Sequence, residues 1–186
     1  MIKGKNGYVR ICIPQGVTPP WFVVQIAPAS GIIEGLNVCF YNEVVYQFDD
    51  CSLIPESMIF LRDGKIKEGT VIVKSQEFEQ KVGSITYERQ GFFVVELSGI
   101  PDINPGDIVV IKPFVAFPFC DFTGAKRYAI EKQNILLHVT PKGIFPGPEF
   151  VFVQKNEVLY SKSYSTINIK GTDCTIVKKD DIYSPI

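Results

Sequence analysis

The chain has 186 residues, 46% hydrophobic and 21% charged, and a net charge of −1. Its length gives room for one large or two small domains, and its apolar content excludes a disordered chain. The near-neutral charge leaves no basic field to attract nucleic acid or an anionic membrane surface.

Gly7 to Ile13 (GYVRICI) alternates well enough to form a first strand, and the three prolines and a glycine of Pro14 to Pro20 make a turn rather than a helix. Trp21 to Asp50 holds two apolar β-type runs around a Gly-rich centre, and Met58 to Leu61 is a further strand before the Asp-Gly turn at 63–64. Gly69 to Lys74 is a β-branched strand. Ser75 to Gln80 reads as a solvated polar run, and Val82 to Tyr87 as a short strand or loop tip. Phe92 to Asp121 is strand, Pro/Gly/Asn/Asp turn, strand. Thr123 to Gln133 alone has helix-friendly composition, too short to stand by itself. Strands are expected again at Asn134 to Val139, Glu149 to Gln154, Glu157 to Tyr160, Thr166 to Ile169 and Cys174 to Val177, with a Pro/Gly turn over Pro141 to Pro148. Many short strands and no long helix predict an all-β protein, barrel or sandwich.

Trp21 to Asp50 and Phe92 to Asp121 are two versions of one segment. A gapless shift of 71 positions brings Phe22-Val23-Val24 onto Phe93-Val94-Val95, Gly35 onto Gly106, Val38 onto Val109 and Phe48 onto Phe119. Nine of the twenty-nine positions from 22 to 50 are identical, against about two at background frequencies, so the chain carries an internal repeat. Asn134 to Val139 matches Met58 to Leu61 after a small insertion, and Glu149 to Gln154 echoes Gly69 to Lys74, opening a third unit without room to finish. The repeat predicts two small irregular barrels. In one arrangement residues 64–140 form an inserted barrel, and residues 1–63 plus 141–186 form a split one. Two tandem barrels with a C-terminal arm are the alternative.

The chemistry sought along the chain is sparse. Five cysteines at irregular spacings (Cys12, Cys39, Cys51, Cys120, Cys174) read as reduced residues, three of them in apolar runs, and point to a reducing, cytoplasmic compartment. The single histidine, His138 in ILLHV, reads as a partly exposed or hydrogen-bonded structural residue on the strand face opposite Leu137. There is no Cys-x-x-Cys, no His pair, no G-x-S-x-G and no phosphate-binding glycine loop, so no catalytic, cofactor-binding or metal residue is predicted. Asp49-Asp50 reads as a solvated strand end rather than a cation site. No apolar run approaches the roughly 20 residues that cross a bilayer. The opening MIKGKNGYVR lacks the apolar core of a secretory signal and the arginine-rich character of a transit peptide. Phe114, Phe117, Phe119 and Phe122, spaced by Pro113 and Pro118, are too many for one face of one strand. They and Trp21 fill a core or make a subunit interface.

The strand Gly69 to Lys74, the strand Phe92 to Leu97, the turn-strand Gly106-Asp107-Ile108-Val109 and Asn134-Ile135-Leu136 follow one another in a particular order and spacing. In this the middle unit resembles a GroES-type co-chaperonin subunit; Asp180-Asp181-Ile182 and Glu157 to Lys162 are like parts of the same family. The resemblance implies a small irregular β-barrel that oligomerises at its edges, with itself and a chaperonin ring as partners. It also implies a mobile loop whose docking tripeptide is here Ile85-Thr86-Tyr87, with a polar centre. That loop is shorter than the family's, and the first unit has only a proline-rich turn in its place. Two expectations follow: a non-enzymatic, co-chaperonin-like ring component, or a virion assembly protein that uses the same barrel as a tile among neighbouring structural proteins.

Overall fold

The computed structural model describes residues 7–12, 23–26, 33–41, 46–48, 51–62, 64–74, 91–112, 115–120, 125–153, 160–161, 165–169 and 171–183. These are strands, turns and single-turn 3₁₀ segments, and the chain is all-β. Strands β1 (Tyr8–Cys12), β2 (Val23–Ile26), β3 (Ile33–Phe40), β4 (Tyr46–Phe48), β5 (Cys51–Pro55), β6 (Ile59–Arg62) and β7 (Lys65–Ile66) form an antiparallel sheet of order β4-β5-β1-β2-β3-β6-β7. A second sheet holds β8 (Thr70–Lys74), β9 (Gly91–Ser98), β10 (Ile108–Ile111), β11 (Phe117–Cys120), β12 (Lys126–Glu131), β13 (Ile135–Thr140) and β14 (Gly143–Pro146). Its order is β11-β12-β8-β9-β10-β13-β14, that of the first sheet with seven added to every strand. The remaining strands are β15 (Phe150–Phe152), β16 (Tyr160–Ser161), β17 (Ser165–Ile169), β18 (Thr172–Lys178) and β19 (Ile182–Tyr183). They form a three-stranded sheet, β15-β18-β17, and the pair β16-β19.

The likeness of the two large sheets extends to their irregularities. The β3–β6 ladder slips between Cys39 and Phe40, and the β10–β13 ladder slips between Val110 and Ile111, 71 positions on. A 3₁₀ turn separates β5 from β6 (Glu56–Met58), β12 from β13 (Lys132–Asn134) and β18 from β19 (Lys179–Asp181). These turns also bend the sheets. β12 and β13 lie four places apart in sheet order, about 19 Å on a flat sheet. The step from Glu131 to Ile135 reaches at most about 14 Å, so the sheet must curl. Its concave face then gathers Val71, Val73, Phe93, Val95, Val109, Ile111, Ile130 and Ile135 into one core, floored by Ile100 and Ile103 from the turn after β9. Val9, Ile11, Val38, Phe40, Ile54 and Ile59 do the same in the first sheet. Among the described residues the ladders leave every sheet open.

Intervening residues on the same strands face outward and are buried too, so β8 is buried along Thr70–Val73 and β13 along Ile135–His138. A strand covered on both faces needs apolar residues without alternation, and that is why these stretches run as TVIV and ILL.

Two sequence expectations are corrected. The helix-friendly stretch 123–133 contains strand β12, paired with β8 on one side and β11 on the other, followed by a single 3₁₀ turn. Within the expected turn 141–148, Gly143–Pro146 is a strand that returns along β13. His138 takes the hydrogen-bonded of its two expected forms, buried and in contact with Asp107. Among the described residues no ladder joins 149–186 to 8–61. Strands β15, β17 and β18 pack on the second sheet.

Candidate functional site

Two apolar seams hold the three parts of the chain together. In the first, Cys39 of β3 with Phe60 and Leu61 of β6 meets Ile72 of β8, Ala129 of β12 and Phe119 of β11. Tyr41, Ile66, Leu97 and Phe117 pack around it. Aromatic rings dominate: Phe60 lies 4.9 Å from Phe119 and 5.9 Å from Phe117, both edge-on, and Tyr41 lies 4.8 Å from Phe60 and 5.1 Å from Phe117. Edge-to-face pairs at these separations add about 0.5–1.5 kcal/mol each beyond area burial.

In the second seam, Val110 of β10 with Leu136 and Leu137 of β13 meets Phe150, Ile167, Ile169, Cys174 and Ile176 from the three-stranded sheet, with Phe152 alongside. Ladder registers show that both seams use corresponding positions. Cys39 pairs with Leu61 just as Val110 pairs with Leu137, and Phe60 and Leu136 are the bulged residues between. On the other side, Ile72 pairs with Ala129 as Phe152 pairs with Ile176, two ladder positions from the residue before each first strand's 3₁₀-linked partner ends. Phe119 and Ile167 sit next outward, opposite Arg127 and Cys174. Burial and the charge of Asp173 push the Cys174 thiol pKa up. At the edge of this seam the Lys112 ammonium lies 5.6 Å from the Phe150 ring centre, and burial together with Lys178 lowers its pKa.

A cavity lies at the end of the second sheet. It measures about 930 Å³, and Ile103, Asp107, His138, Thr140, Phe145 and Pro148 are among its lining residues. The turn Pro101–Asp107 forms one wall and needs two left-handed residues, Asp102 (φ 69) and Gly106 (φ 94). Asp107 fixes that turn: its Oδ2 accepts the Asn104 N–H at 2.9 Å, and its own N–H donates to the Asn104 carbonyl at 3.1 Å. The same Oδ2 lies 2.7 Å from His138 Nε2. Both side chains are buried, and the Phe145 ring covers the imidazole at 6.1 Å. Lys132 and Glu149 on the rim pair at 3.7 Å. The histidine therefore ties the turn to β13, and this cavity's charged groups are engaged largely with one another.

Among the described residues, removing the imidazole leaves the buried Asp107 side chain with the Asn104 N–H as its one hydrogen-bond partner. His138→Ala is expected to lower unfolding free energy by about 1.5–3 kcal/mol, the range for hydrogen bonds to charged groups. The midpoint of urea denaturation measures this; a change below about 0.5 kcal/mol would mean that the pair contributes nothing to holding the turn.

Of the residues predicted to bind partners, Phe117 and Phe119 lie together in the first seam, half-buried and buried respectively. Trp21, Ile85, Thr86, Tyr87, Phe114, Phe122 and the pair Asp49-Asp50 lie outside the described residues. Sequence reasoning missed Asp107, 31 residues from its partner. Cys39 and Cys174 are buried. Among the described residues no group of three or more His, Cys, Asp or Glu is placed to hold a metal ion, and no helix is long and apolar enough to cross a membrane. Comparison of the chain with family models, with curated proteins and with solved structures finds no match.

Proposed function

We propose that the chain is a non-enzymatic assembly subunit made of three units of one irregular β-barrel design, the third shortened, and that it forms an arc of a co-chaperonin-like ring. One observation carries this reading: Cys39, Phe60 and Leu61 receive Ile72 and Ala129 as Val110, Leu136 and Leu137 receive Phe152 and Ile176. A seam used twice between like parts is a building rule, and building rules of this kind generate rings or filaments. The equal strand order of the two large sheets and their matched bulges support a common barrel design. The role in assisting protein folding comes from the resemblance of residues 64–140 to the co-chaperonin subunit, with Ile85-Thr86-Tyr87 as the docking tripeptide.

A second reading, a virion tile, is favoured by one feature. Phe117 and Phe119, the aromatics most suited to gripping a foreign partner, are consumed in a seam within the chain.

Native mass spectrometry, followed by co-elution with a chaperonin in the presence of nucleotide, tests both. A discrete closed oligomer that co-elutes supports the ring component, and one that never co-elutes favours the tile. A chain that stays at 20.8 kDa at every concentration overturns the assembly reading.

A further inference from the structure

We propose that the cavity at the end of the second sheet binds a neutral aromatic ring bearing an O–H or N–H group. The ring lies on Phe145, and its polar hydrogen is donated to Nδ1 of His138.

The imidazole is prepared for this role. Its Nε2 lies 2.7 Å from Asp107 Oδ2, and a carboxylate can only accept, so Nε2 carries the proton. In the neutral ring Nδ1 is then an acceptor, because the bond made by one nitrogen sets the task of the other. The His138 side chain is only 7% exposed, yet among the described residues Nδ1 makes no hydrogen bond. It is not one of the sealed polar atoms left without a partner, so it opens on the cavity that His138 lines. Beside it stands Phe145, at 43% the one large hydrophobic residue exposed among the described residues. Its ring centre is 6.1 Å from that of the imidazole, close enough for one ligand to touch both.

The strand order demands neither residue. Arg62 pairs with Lys65 as His138 pairs with Phe145. Lys67 and Gly147 follow with the same 2.8 Å hydrogen bond, to the Phe60 and Leu136 carbonyls. The first sheet therefore has Leu36, Arg62 and Lys65 where the second has Asp107, His138 and Phe145. It reaches the same order and a matching bulge without them. A buried charged pair is often no better for stability than apolar residues in its place. Three departures that meet in one cavity are accounted for by a ligand rather than by the sheet.

The rest of the lining fits a neutral, flat molecule. The volume, about 930 Å³, lies within the range of small-molecule sites, and Ile100, Ile103, Pro146 and Pro148 supply apolar surface. Asp107 is held by His138 and Lys132 by Glu149, which leaves Asp102 and Lys142, opposite in sign. No net field favours an anion or a cation. None of these residues belongs to either seam, so the site is independent of assembly.

His138 is the only histidine, so in the untagged full-length chain its ring proton signals report on the site directly by NMR. Phenol is expected to shift them saturably. Anisole, its methyl ether with no proton to give, is expected to bind about tenfold more weakly. Phe145→Ala is expected to weaken phenol binding about fivefold with unchanged circular dichroism, and Phe145→Leu replaces it if the fold is lost. N-acetyltyrosinamide separates two sources of the ring: binding at least as tight as that of phenol assigns a tyrosine side chain of a partner, and weaker binding or none assigns a free small molecule. Anisole binding as well as phenol would overturn the proposal. So would imidazole signals that phenol leaves unmoved, or a Phe145 variant that binds phenol like the wild type.

Discussion

Phe60→Ala is expected to lower unfolding free energy by about 3–5 kcal/mol, the range for emptying a large aromatic site in a packed interior. Phe60 is fully buried, yet it lies on the convex side of the first sheet, away from that sheet's own core of Val9, Ile11 and Ile54. Its neighbours Phe117 and Phe119 come from β11 of the second sheet. An isolated first sheet would leave this ring in water, where truncation costs little. The size of the effect therefore measures the seam rather than the unit. Phe60→Leu, which keeps most of the volume, is expected to lose less than about 1.5 kcal/mol. Urea denaturation of the three proteins checks the ordering, and a Phe60→Ala cost below about 1 kcal/mol would mean that the sheets do not pack there.

Gly147→Ala is expected to cost about 3 kcal/mol, the upper end for forcing extra volume into a packed site. A Cβ on Gly147 would stand 1.8 Å from the Ile135 carbonyl oxygen and 2.7 Å from its carbon. Both are backbone atoms that no rotamer change can move. The strain is one of space rather than of backbone conformation, since Gly147 is not among the residues with positive φ. Gly147 also donates its N–H to the Leu136 carbonyl at 2.8 Å and accepts the Phe150 N–H at 2.9 Å. It thereby fixes where β15 leaves the second sheet. Hydrogen exchange is expected to show lost protection over Phe150–Phe152 and β18 before the concave core of the second sheet is affected. Uniform loss across all three parts would instead mean that the glycine supports the whole fold rather than the second seam.

Much of this was legible in the residues because period and punctuation decide strand existence. The runs GYVRICI, GTVIVK and FFVVELS are β-branched or aromatic and bounded by turn residues, and each contains a strand. The shift of 71 positions carries the bulge at Cys39/Phe40 onto that at Val110/Ile111. The stretch AKRYAIEKQ misled because its residues favour helices locally. Its Ile130 belongs to the concave core and its Ala129 to the seam, and ladders to β8 and β11 outweigh a preference worth tenths of a kcal/mol per residue. Gly143–Pro146 was hidden between prolines, yet an edge strand tolerates proline where no inward ladder bond is needed.

The Asp107–His138 pair left a fainter trace. Asp107 falls on Leu36 under the shift of 71, and His138 stands where Arg62 does in the β3–β6 ladder. The two residues mark places where the copies depart from each other, and comparing departures rather than identities would have brought them together. The seams were least legible of all, because an outward apolar residue on a doubly buried strand looks the same in sequence as an inward one.

The central claim is that one contact is used twice. An experimental structure of the full chain gives the rotation that carries the first sheet onto the second, and the rotation that carries β8, β12 and β11 onto β15, β18 and β17. The account predicts the same rotation, with Phe60 and Leu136 superposed. Two unrelated rotations, or a third part packed away from Leu136 and Leu137, would contradict it.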